Sequence, residues 1–75
     1  MKKQHQLRRI ACHKILLPDG QSMALSVVEI QSGQVLRYYP LNGEQAQTEW
    51  WSGSIQLSLQ SDGTLVAYYE GEKIK

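Results

Sequence analysis

Seventy-five residues, 41% of them apolar and 20% charged, exclude a disordered chain and a multidomain enzyme, and leave one small domain with a thin stability margin. A single cysteine, Cys12, excludes an internal disulfide, and no run approaches the ~20 apolar residues of a membrane span. The net charge of +1 hides an asymmetry: Lys2, Lys3, Arg8, Arg9 and Lys14 give the first fourteen residues +5, while the remainder carries three bases and seven acids.

Residues 1–6 are expected to form a flexible basic arm, and residues 7–75 one β domain. Because Arg8, Arg9, His13 and Lys14 interrupt any apolar run behind Lys2 and Lys3, no export signal is expected, and the cytoplasm is the expected compartment. The basic segment either is solvated or folds back on the acidic body, with polyanion binding as the lesser alternative.

In chain order, Leu7, Ala11 and Ile15 can line a helical face, but Ile10, Ile15, Leu16 and Leu17 fit a strand entering the Pro18-Asp19-Gly20 turn better. Glycines at 20, 33, 43, 53, 63 and 71 punctuate the chain about every ten residues, the spacing of short strands. A Ser32-Gly33 loop sets Val27 opposite Tyr38 and Glu29 opposite Leu36. That register places Met23, Leu25, Val27, Leu36 and Tyr38 inside, and leaves Val28, Ile30, Val35 and Tyr39 outside unless a bulge near Val27-Val28 moves them.

Pro40 to Gln47 reads as a surface loop. Thr48 to Trp51 is a short strand or arch ending at Ser52-Gly53. Ile55, Leu57 and Leu59 alternate with Gln56, Ser58 and Gln60, the clearest two-residue period in the chain. An Asp62-Gly63 two-residue turn then sets Leu59 opposite Val66 and Leu57 opposite Tyr68. Gly33 to Tyr39 matches Gly63 to Tyr69 at an offset of thirty. The fold class expected is all-β, a small antiparallel meander of five to six strands forming an open barrel or curled sheet.

At Ser26 to Ile30, Gly33 to Leu41, Glu44 and Thr48-Glu49-Trp50, the chain resembles small β proteins of gut-type Bacteroides bacteria over roughly residues 13 to 59. The resemblance implies a free-standing cytoplasmic β domain and carries over no site.

Chemistry-bearing patterns are sparse. Cys12 and His13 are strand neighbours facing opposite ways, so they cannot share a metal ion or form a nucleophile pair, and Cys12 is expected to be a small buried hydrophobe. No phosphate loop or serine elbow is present, and neither enzyme activity nor a cofactor is expected. Glu44, Glu49 and Trp50 form a possible polar loop site in which partial burial raises one carboxyl pKa, although solvated carboxylates are the commoner outcome.

Of Trp50 and Trp51, one must face outward, and alternation by itself does not say which. Tyr38 and Tyr68 are expected inside, with Tyr39 and Tyr69 outside. Val28, Ile30, Val35, Tyr39, Trp51 and Tyr69 are therefore a possible interface. It would serve self-association, most simply a homodimer, or an unknown protein partner. The alternative is weak single-stranded nucleic-acid binding, with Tyr39, Tyr69 and a tryptophan as stacking platforms beside basic residues.

Overall fold

A computed structural model describes residues 7–43 and 47–75, so the arm at 1–6 and Glu44 lie outside the described residues. The described chain forms six strands: β1 (Arg8–Leu16), β2 (Ser22–Gln31), β3 (Gln34–Pro40), β4 (Thr48–Leu59), β5 (Leu65–Tyr69) and β6 (Glu72–Lys73). They make one sheet in the order β3-β2-β1-β4-β5-β6, curled into a half-barrel so that β3 approaches β5. Among the described residues there is no helix, hence none long and apolar enough to cross a membrane.

The all-β curled sheet agrees with the sequence, but the connectivity corrects it. Four neighbouring pairs are antiparallel, while β1 and β4 run parallel, Arg9 beside Thr48 and Ile15 beside Ile55. The sheet is therefore mixed: after β3 the chain returns past β2 to take the free edge of β1. Ser52-Gly53 does not end a strand. It bulges within the continuous twelve-residue β4, shifting the β1–β4 register by one residue between Cys12 and Lys14, and Gly53 supplies the φ of 98° that this bulge uses. The sixth strand is instead β6.

Four tight connections come in two kinds. Ser32-Gly33 is the expected two-residue turn, with φ of 55° and 77°, joining Gln31 to Gln34. Glu70-Gly71 repeats it at 53° and 85°. Around Asp62 the loop holds three residues, not two. The Gln60 amide donates to the Thr64 carbonyl at 2.8 Å and the Gly63 amide to the Gln60 carbonyl at 2.9 Å. Asp62 Oδ1 accepts from the Thr64 amide, which holds its carboxyl below the usual range.

The extra loop residue moves the register by one. Leu57 faces Ala67, Leu59 faces Leu65 and Gln56 faces Tyr68, so Ala67 and Tyr69 lie on the core side and Val66 and Tyr68 on the other. Pro18-Asp19-Gly20 builds the same loop, with the Leu17 amide on the Gln21 carbonyl at 2.7 Å and Asp19 Oδ1 on the Gln21 amide.

The concave side holds the core: Ile10, Cys12 and Ile15 from β1, Val28 and Ile30 from β2, Val35 from β3, Ile55 and Leu57 from β4, Ala67 from β5 and Ile74 after β6. Each fully buried large aliphatic side chain contributes about 1.5–3 kcal/mol. Val28, Ile30 and Val35 are thus interior, opposite to the expected phase. The bulge in this hairpin lies on β3, not at Val27-Val28: Ile30 pairs with Val35 but Glu29 pairs with Arg37, so Leu36 is the extra residue, and it sets Tyr38 opposite Val28 and Tyr39 opposite Val27. Leu25 and Leu36, expected inside, are exposed.

Candidate functional site

Each face of the half-barrel carries a polar anchor. On the convex side, Arg9, Glu29 and Arg37 lie in register across β1, β2 and β3. The Glu29 side chain is only 4% exposed and accepts from Arg9 Nε at 3.0 Å, from Arg37 Nη1 and from the Tyr39 hydroxyl. Burial alone pushes the carboxyl up, but the Tyr39 hydroxyl and the two guanidinium groups outweigh it and hold Glu29 below the usual carboxylate range. Burial, and then the bond to this carboxylate, raise the Tyr39 phenol. Beside the anchor, Val27 and Ala11 are buried under the row that Tyr39 and Trp50 flank.

On the concave side, Arg8 donates to both carboxylate oxygens of Glu49, at 3.0 and 2.9 Å, and its guanidinium lies 5.5 Å from the Trp51 ring centre. Trp51 Nε1 donates to Glu49 Oε1 at 3.1 Å, and its ring meets Tyr69 edge-on at 4.9 Å. The Tyr69 hydroxyl donates to the Ser52 carbonyl at 2.6 Å. The hydrogen bond from Arg8 pulls Glu49 below its ordinary pKa against the opposing effect of burial, the reverse of the direction expected for a polar loop site. Arg8 and Arg9 show that the described basic segment folds back on acidic residues of the body.

Trp51 and Tyr69 therefore pack against the core and do not form an outward patch. The outward indole is Trp50, 50% exposed and edge-on to His13 at 4.9 Å. Glu49 and Trp50 face opposite sides of β4, so they do not form one site. Cys12 is buried and His13 exposed. Burial raises the Cys12 thiol, which donates to the Lys14 carbonyl at 3.2 Å. His13 Nδ1 accepts from the Gly53 amide at the β4 bulge, at 3.1 Å.

Of the six residues named as an interface, Val28, Ile30 and Val35 are core, Trp51 and Tyr69 line it, and Tyr39 is half-buried against Glu29. The exposed apolar residues lie elsewhere. Leu25 lies on β2 beside Leu41, Leu36 and Tyr38 lie on the edge strand β3, and Leu59 stands at the end of β4. Sequence inspection missed Leu25 and Leu36 as surface residues. A signal was available in the run Val27-Val28-Glu29-Ile30, where Glu29 breaks the apolar series on the phase opposite Val28 and Ile30.

No protein-family model, no curated protein and no solved structure matches this chain.

Proposed function

We propose that this protein is a self-associating β module that pairs with a second copy along the β3 edge of its sheet. The observation that carries the reading is where the exposed apolar groups fall. Among the described residues β3 stands at the end of the strand order, hydrogen-bonded to β2 and approached by β5, and Leu36 and Tyr38 flank that edge, 48% and 36% exposed. Tyr38, opposite Val28, faces the concave side, and Leu36, next to core Val35, faces the convex side. A strand added at this edge covers both and extends the sheet. Arg37 between them is ion-paired with Glu29, which it shares with Arg9, so the charge that two copies bring together is reduced and not cancelled. The Leu36 bulge blunts part of the edge and leaves Arg37 to Tyr39 as its regular stretch.

Light scattering coupled to size exclusion tests the reading. Twice the 8.5 kDa chain mass is expected at high concentration, and conversion to monomer in a Leu36→Glu, Tyr38→Lys variant. A monomer at every concentration overturns it. The nucleic-acid alternative ranks lower: Trp50 offers one exposed ring, but the nearby Arg9 and Arg37 are both engaged by Glu29. A cytoplasmic location accompanies the proposal, supported by the lone buried thiol of Cys12.

A further inference from the structure

Where the β2–β3 turn meets β6, a cleft of about 1270 Å³ opens to solvent, its walls including Arg8, Ser32, Gly33, Glu49, Lys73 and Lys75. Arg9 also lines it, so the cleft has four cations, and they differ in what already engages them: Arg9 is held by Glu29. Arg8 is held by Glu49 and by the main-chain oxygen of Lys75, to which Nη1 donates at 2.7 Å. Lys73, in β6, and Lys75, beyond it, flank the buried Ile74, and both are exposed. Among the described residues, no acid lies within ion-pair distance of either lysine.

The Lys73 ammonium rests over the turn, 3.6 Å from the point where a Cβ on Gly33 would stand. The tip amides of a two-residue turn lie outside the strand ladder; at this turn Ser32 is exposed and Gly33 is buried beneath Lys73, so the exposed tip of the turn lies beside that ammonium.

We infer that this cleft binds a phosphate-bearing ligand, with Lys73 and Lys75 supplying charge beside the tip of the Ser32-Gly33 turn. Two compact ammonium groups next to a turn tip suit a multiply charged acceptor with several oxygens better than a single carboxylate. The site shares no residue with the β3 contact residues Leu36 and Tyr38, so either proposal can fail without the other.

The test is an amide chemical-shift titration of the full chain at low salt with inorganic tripolyphosphate, and in a second arm with a short single-stranded oligonucleotide. Saturable shifts at Ser32, Gly33 and Lys73 are expected, weakened at least about tenfold in a Lys73→Gln, Lys75→Gln variant. Both lysines are exposed, and unchanged amide positions in the core strands show that the variant keeps its fold. Tighter binding in the tripolyphosphate arm identifies a free polyphosphate or nucleotide as the source, and tighter binding in the oligonucleotide arm identifies a nucleic-acid backbone. Absence of saturation in both arms up to about 10 mM phosphate, or equal affinity in the double variant, overturns the inference.

Discussion

The two halves of the chain, β1 to β3 and β4 to β6, use the same connections in the same order, a three-residue loop around an Asp-Gly pair followed by a two-residue turn ending in glycine. Their faces are nevertheless opposite. In β1 the core residue Ile15 stands two positions before the loop's first residue, Leu17, whereas in β4 Leu57 stands three before Gln60. Strands with opposite phase can lie side by side and parallel only if one half is turned over about the strand direction, which is how β1 meets β4. Turning one half over puts its aromatic anchor, Trp51-Tyr69, on the concave side, while the other half keeps its carboxylate anchor, Glu29, on the convex side.

If both halves share one core, equivalent truncations in each should cost the same. Ile10→Ala and Leu57→Ala are each expected to destabilise by about 2–4 kcal/mol, in a single thermal transition by circular dichroism. Two separate transitions would break the comparison into two independent units.

The anchors should differ more. Glu29→Gln leaves two guanidinium groups and a phenol with a weaker acceptor at a buried position, and is expected to cost about 2–3 kcal/mol. Glu49→Gln loosens a pair whose side chains are each about a third exposed or more, and is expected to cost about 0.5–1 kcal/mol. Urea denaturation of both variants measures the gap.

Acid sharpens the same contrast. Because Glu29 titrates lower in the folded chain than unfolded, its contribution is complete above the ordinary carboxylate range and fades as pH falls through the depressed folded value. The acid limb of the stability profile should flatten in Glu29→Gln, most visibly between the ordinary carboxylate range and lower pH.

The smallest effects belong to the turns. Gly20→Ala and Gly63→Ala, at φ of 92° and 91°, should each lose about 1 kcal/mol. Unequal losses would show that the two loops are alike only in outline.

The offset of thirty between Gly33–Tyr39 and Gly63–Tyr69 illustrates how sequence similarity misleads about phase. Val35 and Leu65, two residues after each glycine, both face the core, but the Leu36 bulge then reverses the alternation in β3 while β5 stays regular, so the tyrosines fall on opposite faces. Tyr39 joins Glu29 on the convex side and Tyr69 joins Trp51 on the concave side. The division of labour within Trp50-Trp51 was legible, but the identity of the buried ring was not. Only the position of β4 beside β1 places Trp51 next to Cys12, a core residue, and Trp50 next to Ala11.

Strand content and the places where the chain must turn were written into the residues. Glycines with positive φ and the aspartates beside them act through local backbone sterics and local hydrogen bonds, and Ile55 with Leu57 marks its dry side without outside help. What only the tertiary structure decided was phase and partnership: the concave face for Val28, Ile30 and Val35, the parallel contact of β1 with β4, and the burial of Ile74. A two-residue period states that side chains alternate, and one inserted residue, Leu36 in β3 or Ser61 in the Gln60–Thr64 loop, exchanges the two sides. Whether that residue inserts depends on which arrangement buries more apolar surface across all six strands, a sum that no single segment contains.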